Sequence, residues 1–158
     1  MAHTYSATVH WQRDGAAFTD NKYSRLHEWR FDEGVVVRGS PAPTSVPPPM
    51  SSLDAVDPEE ALVAATSSCH MLFFLAFAGK AGFVVDSYTD AAVGTMTRND
   101  AGKLYISAIT LDPKIAWSGD KRPTDADIAR IHERSHAECY IANSIRATIT
   151  IAGVPAHS

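Results

Sequence analysis

One stretch of this sequence limits its fold more than any other. Asp57-Pro58-Glu59-Glu60 opens onto ALVAATSSCHMLFFLAFAGKAG, a run whose one fixed charge is Lys80. Asp57 suits a helix N-cap, Pro58 the first helical position, and Glu60 the carboxylate of a capping box. The run predicts a helix ending near Gly79 or Gly82, where glycine can take the left-handed cap. It is apolar almost all round, so it must be buried on most sides. In a small domain that places it between a sheet and something else, a second subunit being the natural partner.

The flanking sequence reads as strands. Tyr5 to Trp11 alternates polar and apolar residues, and Arg13-Asp14-Gly15 supplies turn chemistry. Tyr23 to Phe31 is a second predicted strand, with Tyr23, Arg25, His27 and Trp29 on one face. Asp32-Glu33-Gly34 turns the chain into Val35-Val36-Val37. Ser40 to Ser52 carries five prolines and excludes regular structure, leaving a surface loop or a lid beside an active site. Val84 to Thr97 and Leu104 to Trp117 are β-rich runs whose connection, Arg98 to Lys103, suggests a hairpin. Thr124 caps a second helix, with Asp127 three residues on, that runs toward Cys139 with Ile128, Ile131 and His132 on one face. Ile145 to Ile151 closes as a strand. The order predicts an α+β fold of antiparallel sheets with a long buried central helix.

At 158 residues the chain fits one domain, 1–158, burying roughly 70% of its unfolded surface. Within it lie an N-terminal β-meander (1–38), a proline-rich loop (40–56) and a helical and C-terminal α/β part (57–153). A hydrophobic content of 45% and a net charge of −4 exclude intrinsic disorder. No basic run suggests nucleic acid. The N-terminus lacks the basic and apolar regions of a secretory signal, and Met71 to Ala78 is far short of a bilayer span. A soluble cytoplasmic protein without a membrane partner is therefore expected. In that reducing setting its two cysteines are more often reactive, metal-binding or simply buried than a permanent staple.

Taken alone, Cys69 also reads as a small apolar core residue. Three features turn it toward chemistry: the small residues before it, the hydroxyls of Thr66, Ser67 and Ser68, and a second helical cysteine, Cys139. A thiolate that attacks a peroxide becomes a sulfenic acid, which a nearby thiol converts to a disulfide. Burial opposes ionisation of the first thiol, so a cation must stand beside it, itself balanced by a carboxylate.

Asp57-Pro58-Glu59-Glu60-Ala61-Leu62-Val63-Ala64-Ala65, followed by Ser67-Ser68-Cys69, resembles the Asn-Pro-Glu-x-Leu … Ala-Ala … Ala-Cys segment of the OsmC/Ohr family of thiol peroxidases. Ala137-Glu138-Cys139, with Asn143 following, resembles that family's second cysteine segment. The resemblance implies an intertwined homodimer with active sites at the subunit interface. It also implies Cys69 as the peroxidatic residue, Cys139 as its resolving partner, Glu59 as the matching glutamate, and an arginine from the N-terminal sheet. Arg25 is the stronger candidate by its strand face, with Arg13 in a family-like Arg-Asp-Gly turn as the alternative. The implied substrate is an organic hydroperoxide and the implied reductant a dithiol such as dihydrolipoamide, with no cofactor or metal. His70 and Tyr140 depart from the organic-hydroperoxide branch, which has an aromatic residue and a proline at those positions.

On a regular helix Glu59 and Cys69 stand roughly 15 Å apart along the axis. Glu59 then either caps the helix or serves a partner's thiol. His27, His70, His132 and His136 are further titratable candidates. His70 points about 100° away from Cys69 around the helix, and His136 lies one turn before Cys139. The aromatic rings of Tyr23, Trp29, Phe73 and Phe74 favour an apolar hydroperoxide. Competing readings are a Cys69/Cys139/His136 metal site, a binding module whose cysteines only pack, and a cysteine hydrolase.

Overall fold

The computed structural model describes residues 2–154, which form two compact units dividing after Ala61. In the first unit, β1 (Ala7–His10), β2 (His27–Phe31) and β3 (Val36–Gly39) make an antiparallel meander in that order. Val9 lies opposite Trp29, and Trp29 opposite Val37. The second strand is shorter than its sequence pattern suggests. Its expected first half is held by other bonds: the Arg25 amide donates to the Met50 carbonyl at 2.9 Å and the Leu26 amide to Ser24 Oγ at 3.2 Å. The proline-rich segment is irregular, as expected. Its base is closed by the Ser40 amide on the Val56 carbonyl (3.0 Å) and the Ser52 amide on Ser40 Oγ (2.8 Å).

Helix α1 spans Pro58–Lys80. The expected capping box forms, with the Glu60 amide on Asp57 Oδ1 at 2.7 Å and the Asp57 amide on Glu60 Oε2 at 3.3 Å. The helix ends in a Schellman motif: Gly82 has φ +80°, and the Phe83 amide reaches back to the Ala78 carbonyl at 3.0 Å.

The two β-rich runs each break once. They form β4 (Val84–Asp90), β5 (Val93–Arg98), β6 (Leu104–Leu111) and β7 (Pro113–Ser118). The expected hairpin is confined to β5 and β6, while β4 pairs with β7 in a separate two-stranded sheet. Asp90 sits at the break, its Oδ1 accepting the Asp112 amide at 2.7 Å, and Pro113 follows with no amide to donate. Helix α2 (Asp125–Glu138) starts at a second capping box between Thr124 and Asp127. Strand β8 (Thr148–Ile151) then lies parallel to β6. The other strand pairs are antiparallel, as expected. The chain returns through a helical crossover, the connection a parallel pair requires.

The core of the second unit gathers Phe74, Phe77, Ala78, Phe83 and Ile131, with Tyr88, Ile115 and Trp117 against them. From α1 it takes a single stripe, namely Thr66, His70, Phe74, Phe77 and Ala78. The opposite face is open: Leu72 is 61% exposed and Leu75 36%. Burial on most sides is therefore not reached within one chain. By length and hydropathy alone α1 is also long and apolar enough to cross a bilayer, because alanines extend the apolar run beyond Met71 to Ala78. This corrects the expectation based on that shorter stretch.

Candidate thiol site

Cys69 lies mid-way along α1 and is half-buried. Cys139 is the C-cap of α2 and is 1% exposed. Both are free thiols, and Cys69 lies near enough to Cys139 to act on its titration. Burial pushes the Cys139 thiol above its ordinary range. The Ala142 amide, donating to its sulfur at 3.4 Å, acts in the opposite sense, while the adjoining Cys69 raises it further. Its place at the negative end of a helix also disfavours a thiolate. Cys139 is therefore held as a thiol at neutral pH. Asn143 fixes the chain around it, its side-chain amide donating to the carbonyls of Ala137 and Cys139, both at 2.9 Å.

The hydroxyls expected to support Cys69 are largely used elsewhere. Thr66 Oγ1 donates to the Leu62 carbonyl at 2.8 Å, and Ser67 Oγ donates to Asp90 Oδ2. Only Ser68, on the exposed side, has neither commitment. Phe74 is fully buried in the core and lines no open site, and Phe73 packs edge-on against Tyr140.

On the buried stripe of α1, His70 Nε2 meets His132 Nδ1 of α2 at 2.9 Å, with the rings stacked at 12°. Both rings are under 3% exposed. His70 Nδ1 has no hydrogen-bond partner. An orphaned buried donor costs more than an orphaned acceptor, which puts the shared proton on His70 Nε2, donating to His132. Burial lowers both imidazoles to about 4, and the neighbouring His132 and His136 lower His70 further. His136 itself is exposed in the last turn of α2.

Arg13, Arg25 and Glu59 belong to the first unit. Arg25 donates to the Tyr23 carbonyl (3.0 Å) and Asn21 Oδ1 (2.5 Å), and its guanidinium covers the Tyr23 ring at 4.4 Å. With Val9, Trp11, Phe18, Tyr23 and His27 it lines an apolar pocket of about 360 Å³. His27 is fixed there, its Nε2 accepting from the Trp29 indole at 2.8 Å while Nδ1 lies 2.8 Å from the Arg25 carbonyl. Arg13 is exposed in its turn. Glu59 makes no cap bond, since Asp57 and Glu60 form that box. Among the described residues no three His, Cys, Asp or Glu side chains group to hold a metal ion.

A family model described as OsmC-like protein matches residues 51–152. A solved OsmC-like protein of unknown function from Vibrio cholerae is 45% identical, covering 95% of this chain and 98% of that one with a TM-score of 0.93. The chain belongs to the OsmC-like family. Its α+β architecture, two helices and antiparallel β4–β7 and β5–β6 pairs are the OsmC fold. More distant structures share that fold. An organic hydroperoxide resistance protein from Legionella pneumophila has a TM-score of 0.67 at 12% identity, over 96% of this chain and 95% of that one. OhrB of Bacillus subtilis has a TM-score of 0.63 at 14% identity, over 94% and 95%. No functionally curated protein matches. The OsmC-like segment contains Cys69, Cys139 and Glu59, whereas Arg13 and Arg25 precede it.

Sequence reasoning marked His132 as one of three residues on a helix face but did not pair it with His70, and it missed Asp90 altogether. Periodicity carried a partial signal for the first pair. His70 shares the Thr66 and Phe74 stripe at intervals of four, and His132 adjoins Ile131. For Asp90 no local signal exists, since Ser67 and Asp112 are both distant in sequence.

Proposed function

We propose that this OsmC-like protein is a thiol-dependent reductase of organic hydroperoxides. The observation that carries the reading is the meeting of a half-buried Cys69 with a buried, protonated Cys139. The names of the Legionella and Bacillus proteins of the same fold support a hydroperoxide as substrate.

In this mechanism the Cys69 thiolate attacks the outer oxygen of ROOH. An S–O bond forms, the O–O bond breaks, and the alkoxide leaves as ROH after taking a proton. Cys139 then attacks the Cys69 sulfenic acid. The S–S bond forms, the S–O bond breaks, and hydroxide leaves as water with the thiol proton. A dithiol such as dihydrolipoamide reduces the disulfide by exchange, so no other cofactor is needed. Arg25, or Arg13 in its place, supplies the positive charge beside the Cys69 thiolate, and Glu59 balances it.

The working form is an intertwined cytoplasmic homodimer, in which the open Leu72 and Leu75 face of α1 is covered by a second copy rather than by lipid. The test is consumption of cumene hydroperoxide and hydrogen peroxide with dihydrolipoamide. Wild type should prefer the organic substrate, Cys69→Ser should lose all turnover, and Cys139→Ser should stop at the sulfenate. Peroxide consumption unchanged by either substitution overturns the reading. Light scattering that gives a monomer removes the dimer.

A further inference from the structure

The His70–His132 contact does something that an apolar contact at the same place would not. Other contacts of α1 with α2 and the residues just after it are made by rings: Phe74 against His132 (centroids 4.4 Å apart), Phe77 under the Arg134 guanidinium (4.0 Å) and, beyond the α2 cap, Phe73 against Tyr140 (5.1 Å). Such surfaces tolerate small slides and rotations at little cost, because dispersion is not directional. A hydrogen bond between two buried rings does not, since its strength falls steeply with distance and angle.

Two buried imidazoles are also a poor choice for stability. Both are desolvated and one nitrogen is left unpaired, where apolar residues of the same shape would be neutral or better. A buried polar contact that is weak for stability is suited to fixing register. The positions fit that role. His70 follows Cys69 directly on α1, and His132 lies seven residues before Cys139, two helical turns along the same side of α2.

We propose that the His70–His132 hydrogen bond is a positioning device that sets the Cys69 and Cys139 sulfurs in register for disulfide closure. Neither imidazole touches the reacting atoms. The pair fixes the axial and rotational setting of the two helices that carry them, and small misplacements of reacting groups cost large factors in rate. The biological use of that closure rests on the peroxidase reading, but the register itself does not.

The experiment therefore closes the disulfide without peroxide. Full-length wild type, His132→Leu, His132→Phe and His132→Asn are equilibrated with oxidised and reduced dithiothreitol, and Cys69–Cys139 disulfide is measured by mass spectrometry. Oxidation of the two thiols is balanced by reduction of one cyclic dithiothreitol disulfide. The leucine and phenylalanine variants should close at least about tenfold less favourably than wild type. Asparagine, whose side-chain amide can still bond His70 Nε2, should recover most of the loss. Phenylalanine keeps the ring against Phe74 and serves if leucine does not fold. Closure at wild-type levels in the phenylalanine variant overturns the proposal, and so does failure of asparagine to recover it. Loss of peroxide turnover in a wild type that closes normally would count against the peroxidase alone.

Discussion

Ser67 and Asp90 tie α1 to the end of β4: the serine hydroxyl donates to Oδ2 of the aspartate, while Oδ1 accepts the Asp112 amide at 2.7 Å. One carboxylate therefore serves the helix that carries Cys69 and the point where both β-rich runs change partners. Asp90→Ala leaves a hydroxyl and an amide without acceptors. It should lower unfolding free energy by about 2–4 kcal/mol in urea, with Asp90→Asn losing less.

Acid should weaken the protein through the histidine pair. Both imidazoles are lowered from 6.5 to about 4. Between those values the unfolded chain binds protons that the folded chain refuses, so stability falls as pH drops through the window. Above 6.5 the contribution is fully present, and below 4 no further loss arises from these groups. Asp90 acts against the shift at His132, and His136 adds to it at His70. Urea midpoints taken from pH 7 to pH 4 should decline by a few kcal/mol equivalent, and His132→Phe should show a shallower slope.

Two glycines should respond to alanine in opposite directions. A Cβ on Gly39 would stand 2.5 Å from His27 Nε2 and 2.8 Å from Trp29 Nε1, against the hydrogen bond that joins them. Gly39→Ala should destabilise the first unit by about 1–3 kcal/mol and shift tryptophan emission to the red. A Cβ on Gly79 meets nothing within 4 Å, and the residue is in the last turn of α1. Gly79→Ala should stabilise by about 0.5–1 kcal/mol in thermal or urea unfolding.

The two thiols should label in a fixed order. Cys139 is 1% exposed and its thiol is pushed up, so little thiolate is present at neutral pH. Iodoacetamide at pH 8 followed by peptide mass spectrometry should find Cys69 modified at least about tenfold faster. Equal rates would remove the assignment of Cys139 as the protonated partner.

Both helices were legible from their own residues. Asp57 with Glu60, and Thr124 with Asp127, close their capping boxes across three residues, and Gly82 meets a left-handed requirement at its own position. These are local effects, decided within one or two turns of chain, and sequence contains everything they need. The β5–β6 hairpin follows the same logic at the Asn99 to Lys103 turn.

Tertiary structure alone decided what meets across long separations. Nothing local at Val84 selects β7 as its partner, or β8 as the parallel neighbour of β6. Those choices join segments far apart in the chain, β4 with β7 and β6 with β8. The meeting of Cys69 with Cys139 was expected only through a family resemblance, and that of His70 with His132 not at all. The reason is physical: periodicity tells which side of a helix faces inward, but an inward-facing group finds its partner only when a second element, folded elsewhere in the chain, is packed against it.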